Sequence, residues 1–127
     1  MPEWLFPISP VAASRPRVSR HGAYFTGPYK RFRQEMAEIV PLILGKSFIP
    51  LEGPLDVTLD LFVKQPQKTK LDAPKADIDN YIKSILDCMN KHLWLDDTQV
   101  ITIQATKQWA HKKHDGHFII GVRPHEH

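Results

Sequence analysis

The sequence predicts an α+β fold, a single two-layer domain in which a mixed β-sheet carries two main helices on one face. Three observations lead there. Leu55 to Val63 alternates apolar and polar residues almost without a break, as a strand buried on one side does. Tyr29 to Leu44 and Ile78 to His92 repeat their apolar residues every three or four positions, which is the period of an amphipathic helix. The elements follow as strand, helix, strand, helix, strand, strand within 127 residues, a length that suits one ordinary core and not two.

Taken in order, Trp4 to Ile8 is a short first strand, kept short or at an edge by Pro2, Pro7 and Pro10. Val11 to Phe32 reads as a loop or loose hairpin with Gly22 at its turn. Its basic residues are interleaved with Tyr24, Phe25, Tyr29 and Phe32, a mixture that binds phosphates and stacks on unpaired bases. The plainer alternative is a surface loop with its aromatics packed underneath. In the first helix Phe32, Met36, Ile39, Val40 and Ile43 share a face, Pro28 suits the first turn, Pro41 kinks or shortens the helix, and Gly45 ends it. After a turn at Pro50 to Pro54, the clear strand sets Leu55, Val57, Leu59, Leu61 and Val63 against Asp56, Thr58, Asp60 and Phe62. Phe62 breaks the polar set and is expected to meet a partner surface. Gln65 to Pro74 is a lysine-rich loop expected to be mobile without its ligand.

The second helix is expected from Ile78 to His92, capped by Asp77, with Ile78, Ile82, Ile85, Leu86, Met89 and Leu93 inward and Asn80, Lys83 and Asp87 on another face. Trp94 to Asp97 is the exit turn and Gln99 to Lys107 a strand. His111 to His117, with its Asp115-Gly116 turn signal, is expected to be a hairpin connection to a returning strand from Phe118 to Val122.

The net charge of +3 is unevenly placed. Arg15, Arg17, Arg20, Lys30, Arg31 and Arg33 occur with no acidic residue among them, and Lys64, Lys68, Lys70 and Lys75 face only Asp72. From Asp77 to Asp97 the sign reverses, with five aspartates against Lys83 and Lys91. A small acidic centre flanked by basic segments suits a polyanionic substrate handled with a metal; solvated surface is the alternative for each run alone. Cys88, the single cysteine, excludes an intramolecular disulfide and reads as helix packing. No run approaches the roughly 20 apolar residues of a membrane span, and no apolar segment follows a basic start. The expectation is a cytoplasmic protein with no membrane partner and no small-molecule cofactor.

Carboxylates at the two ends of one helix repel unless something positive sits among them, and hard cations such as Mg²⁺ choose oxygen ligands. Capping or the helix dipole accounts for one of Asp77 and Asp79 but less well for both. Asp96-Asp97 alone is an ordinary acidic turn. A 15-residue helix separates its ends by roughly 22 Å, so a neighbouring element or subunit must close the gap between the pairs. Lys83, four residues after Asp79, either pairs with it or stabilises charge on a phosphoryl group. His111, His114 and His117 recur every third residue, but a zinc site needs about four placed ligands; they are expected to face solvent or phosphate.

Lys75-Ala76-Asp77-Ile78-Asp79-Asn80, Lys83, Leu86-Asp87 and Trp94-Leu95-Asp96-Asp97-Thr98-Gln99-Val100 closely resemble the signature of RusA-type Holliday junction resolvases. Arg15-Pro16-Arg17 and Tyr29 resemble the amino-terminal region of many members. The resemblance implies one RusA-like endonuclease domain over residues 1–127 and a homodimer often encoded by phages or prophages. It implies a Mg²⁺ cofactor, with Mn²⁺ as a substitute, and branched DNA as partner, a four-way junction cut by paired symmetric nicks in recombination and repair. Asp77, Asp79 and Asp97 become the essential acidic, metal-holding residues and Lys83 the essential lysine, with Asn80, Asp87 and Asp96 in supporting roles. Ala76 stands where some relatives carry a basic residue, and Lys75 is expected to take over that contact. The DNA arms fall to Arg15, Arg17, Arg20, Lys30, Arg31, Lys68, Lys70 and Lys75. The rival readings are a non-catalytic branched-DNA-binding module and a nuclease less selective for structure.

Overall fold

In the computed structural model, which describes residues 1–126, the chain runs β1 (Glu3–Phe6), β2 (Arg17–Ser19), β3 (Gly22–Tyr24), α1 (Gly27–Leu44), β4 (Leu55–Val63), α2 (Ile78–Met89), β5 (Val100–Trp109) and β6 (His117–Pro124). A short 3-10 turn at Asp97–Gln99 leads into β5. The alternation in β4 does what it predicts. Leu55, Val57, Leu59 and Leu61 are buried, under Phe32, Met36 and Val40 of α1 and Tyr81, Ile85 and Met89 of α2. Both helices therefore cover one face of a four-stranded sheet ordered β1-β6-β4-β5, a single α+β domain. β4 and β5 are parallel, while β6 is antiparallel to both β4 and β1. Parallel neighbours need a long crossover, and α2 with the loop before it supplies one. β2 and β3 form a separate hairpin that turns at Arg20-His21, with Gly22, at φ of 115°, opening β3.

Three expectations change. His111 to His117 does not close a hairpin, because β5 and β6 flank β4 instead of pairing. The burial of Phe118, Ile120 and Val122 draws β6 into an inner slot, while β5, with Thr102, Gln104, Thr106 and Gln108 exposed, tolerates the edge. The Asp-Gly signal reported a local need, not a topology. Gly116 has φ of 95°, and a Cβ there would lie 2.8 Å from Ser9 Cβ and 2.9 Å from the Phe62 carbonyl oxygen. Second, α2 ends at Met89 rather than His92. Asn90 has ψ of 130° and Lys91 a φ of 69°, and this reversal puts the adjacent Leu93 and Trp94 both into the core. Third, Asp77 holds the cap position of α2, but its side chain makes no capping bond.

α1 continues through Pro41 for one more turn, and the Gly45 N–H donates to the Pro41 carbonyl at 3.0 Å. Phe62 lies on the sheet face away from the helices and stacks on its cross-strand neighbour His117, with ring centroids 4.5 Å apart.

Candidate active site

Two tethers position the amino end of α2. Lys107 occupies an inward position of β5, in phase with Ile103, Ala105 and Trp109, and its Nζ donates to the Ala76 carbonyl at 2.7 Å. The Ala13 N–H donates to the Asn80 carbonyl at 2.9 Å, strapping the segment that carries Arg15 across the helix. Between these tethers Asp77 and Asp79 are exposed. Among the described residues neither carboxylate has a hydrogen-bond or ion-pair partner. The Asp77 carbonyl, not its side chain, accepts from Asn80 N at 3.1 Å and Tyr81 N at 3.4 Å.

Lys83 does not pair with Asp79. Its Nζ lies 3.6 Å from Asp87 Oδ2, an oxygen that also lies 3.9 Å from Arg33 Nη1 on α1. Asp79, Lys83 and Asp87 form one stripe at four-residue spacing, roughly 12 Å from first to last at 1.5 Å per residue. The exit turn folds back toward the far end of this stripe. Burial raises the Asp97 pKa, the indole hydrogen bond from Trp94 opposes this, Asp87 and Asp96 add to the rise, and Lys83 counters it. Asp97 therefore lies within the electrostatic reach of both Lys83 and Asp87. α2 ends at Met89, and the positive φ at Lys91 turns the chain before the exit turn.

That turn is densely bonded. The fully buried Trp94 donates its Nε1–H to Asp97 Oδ1 at 2.6 Å. Asp96 Oδ1 accepts from Thr98 N at 3.0 Å. Gln99 Oε1 accepts from the N–H groups of Leu95 and Asp96, both at 2.9 Å, while its Nε2 donates to the carbonyls of Leu51 at 2.9 Å and Gly53 at 3.0 Å. Asp96 and Asp97 thus divide their labour: one caps the 3-10 turn, and the other leans on the core.

Arg15 lines a cavity with Lys83 and Asp87 and Arg17 one with Ala76, whereas Arg31 lines another with Ser9, Glu35 and Lys64. These three arginines and Arg20, Lys30, Lys68, Lys70 and Lys75 are exposed, and among the described residues none has a carboxylate within 4.0 Å. A cavity of about 690 Å³ at the start of α1 is lined by Arg15, Arg17 and Tyr29 among others. A second of about 680 Å³, lined by Arg15, Tyr29, Asn80, Lys83 and Asp87, adjoins it through shared residues. The Lys68–Lys70 loop is pinned at Leu71, whose carbonyl accepts from Trp109 Nε1 at 2.9 Å. His111 and His114 sit with ring centroids 5.5 Å apart, while His117 stacks elsewhere on Phe62. Burial pushes the Cys88 thiol up to about 11, which suits a packing residue and not a nucleophile.

As metal donors, Asp77 and Asp79 offer unengaged carboxylate oxygens and Asp97 one oxygen not committed to Trp94, a hard set that suits Mg²⁺ or Mn²⁺. Among the described residues no group of three such side chains is gathered in one chain. Mg²⁺ is commonly held by one or two carboxylates with water and substrate phosphate completing the shell, so the exposed pair is chemically adequate as a starting point.

Two residues outside the signature also shape this site, Arg33 and Lys107, while Trp94 and Gln99, which lie within it, hold the exit turn. A lysine in the apolar phase of β5 was a readable signal for Lys107. Arg33 meets Asp87 only through the packing of α1 on α2, which no local pattern encodes.

Two comparisons place the chain among known proteins. The chain is similar to the uncharacterized protein YqaN of Bacillus subtilis (strain 168), with 29% identity covering 80% of this chain and 82% of that one. The family described as Endodeoxyribonuclease RusA matches residues 7–116, a span that includes the basic amino-terminal segment, α2 and the exit turn. The chain belongs to the RusA family of endodeoxyribonucleases, divalent-metal-dependent nucleases that act on branched DNA.

Proposed function

We propose that this protein is a Mg²⁺-dependent Holliday junction resolvase that works as a homodimer and introduces paired symmetric nicks. The observation that carries the reading is the stripe on α2: unpartnered Asp77 and Asp79 at one end, Lys83 in the middle, and Asp87 with the returning Asp97 at the other. Asp77, Asp79 and Asp97 would hold the metal, which when bound supplies a Lewis acid and an activated water at the scissile phosphate. Mn²⁺ has the same oxygen preference and would substitute.

The chain's own residues do the rest. Lys83, held by Asp87, places a cation where charge grows on the phosphoryl oxygens or the leaving oxygen. Arg33, which shares Asp87 Oδ2 with Lys83, helps to fix the carboxylate that Lys83 meets. Arg15, Arg17, Arg20, Lys30 and Arg31 on one side, and Lys68, Lys70 and Lys75 on the other, hold the DNA arms through phosphates, so binding weakens steeply with salt. A four-way junction has approximate two-fold symmetry, and a C₂ dimer presents two sites related in the same way.

A labelled synthetic junction incubated with Mg²⁺ or with EDTA tests this reading. Two symmetry-related products that need the metal are expected. Binding without metal-dependent products would leave a binding module, and equal cutting of linear duplex at fixed salt would leave an unselective nuclease.

A further inference from the structure

The cavity of about 680 Å³ beside α2 has a wall that phosphate binding does not explain. Arg15, Asn80, Lys83 and the Asp87 carboxylate line it with polar groups, but Phe25 and Tyr29 also face it. These two rings meet edge to face, with centroids 5.0 Å apart. Arg33 braces them: its guanidinium carbon lies 5.0 Å from the Phe25 centroid and 5.5 Å from that of Tyr29, and its Nη1 donates to Tyr29 Oη at 3.1 Å. Arg33 is absent from the lining of this cavity and lines a neighbouring one with Asp87 and Cys88. Arg33 therefore covers one face of Phe25, and the ring, only half-buried, lines the cavity with the rest of its surface. The volume lies inside the range of roughly 300–1,000 Å³ typical of small-ligand sites.

We propose that this cavity is a subsite for one unpaired nucleotide of the DNA, adjacent to the phosphate that is cut. The base stacks on Phe25, its phosphate lies against Arg15 and Lys83, and the Asn80 side-chain amide, which has no hydrogen-bond partner among the described residues, meets the base edge. An amide carries both donor and acceptor and so discriminates among bases; Asn80 then sets a sequence preference at that position. Branch points favour such a step, since unstacking a base costs least where pairing is already interrupted. Phe25 and its brace lie outside the acidic signature, so the subsite adds a specificity element to the nuclease reading on which it rests.

The test uses the full chain, in EDTA so that no strand is cut, and junctions in which each nucleotide near the cut is in turn replaced by an abasic tetrahydrofuran residue. At one position, loss of the base should weaken wild-type binding about tenfold, in line with the worth of a base–aromatic stack. Phe25→Leu, which keeps apolar bulk without a π face, should show no such penalty, and Phe25→Trp should restore it. Equal penalties in wild type and Phe25→Leu at every position would overturn the subsite. Junction cutting in Mg²⁺ is measured separately: intact cutting without this coupling removes the subsite and leaves the nuclease, whereas coupling without cutting keeps the subsite and removes the nuclease.

Discussion

At the amino end of α2, Asp77 and Asp79 stand exposed with no partner among the described residues, whereas in the turn beyond the other end Asp96, Asp97 and Gln99 are all engaged by neighbours. Both segments carry a pair of aspartates two residues or fewer apart, yet folding uses only one pair. Exposed carboxylates without partners contribute little to stability and remain ready for a ligand. Carboxylates that cap a turn and bond to a buried indole are held before any ligand arrives. Substitution should therefore separate function from folding at the first end and confound them at the second.

The largest effect belongs to the open end. Asp79→Asn, and likewise Asp77→Asn, should lower junction cleavage about a thousandfold, the scale expected when a group stabilising transition-state charge is lost. Unfolding free energy should move by no more than about 0.5 kcal/mol, and junction affinity in EDTA should not fall. Cutting at the native rate by either variant would remove the metal assignment. Lys83→Ala should follow with a loss of about a hundredfold in kcat and roughly threefold or less in affinity, since the other basic contacts carry the DNA. Equal losses in both would make Lys83 a binding residue only.

At the built end the effect moves to stability. Gln99→Ala removes hydrogen bonds to Leu95 and Asp96 and to the carbonyls of Leu51 and Gly53. Partly exposed as they are, their loss should cost about 2 kcal/mol in urea unfolding. A change below about 0.5 kcal/mol, the usual size for an unimportant surface site, would show that the turn is not held by this side chain and would dissolve the contrast between the two ends.

The open end was legible in the sequence because its information is local: aspartates just ahead of an amphipathic repeat announce themselves by spacing. β4 was legible for the same reason, since Leu55 to Val63 carries its period in full. The edge position of β5 was not, because pairing order depends on which strand most needs burial, and that is settled by Phe118, Ile120 and Val122 against the helices. α2 ends short of the expected His92 because Leu93, which continues the apolar stripe in sequence, enters the core from a reversed backbone at Lys91. The Lys83–Asp87 pair was hidden for another reason: Asp79 and Asp87 are equally spaced from Lys83, so the spacing alone does not choose between them.

The smallest effect extends the built end across the sheet. Gln99 bonds to Gly53, the next residue's carbonyl accepts from His125 N at 2.8 Å, and Asp56 follows at the start of β4. Asp56 Oδ1 accepts from Thr102 Oγ1 at 2.7 Å and lies 2.7 Å from His125 Nδ1, while Oδ2 lies 3.5 Å from Arg123 Nε. The Thr102 hydrogen bond, opposed by desolvation and aided by His125 and Arg123, lowers the Asp56 pKa below its ordinary value of 3.8. A carboxyl whose pKa is lower folded than unfolded adds stability above the unfolded value and loses it as pH falls through the folded one. Asp56→Asn keeps an oxygen for Thr102 but removes the charge, so it should melt below wild type at neutral pH. The two melting curves should begin to converge as pH falls past about 3.8, the unfolded value, and meet only below the lower folded pKa, where wild type is neutral as well. A difference that is constant from neutral pH to acid would mean that the charge contributes nothing and that Asp56 acts only as a hydrogen-bond acceptor, which would place the built end's rigidity in its neutral bonds alone.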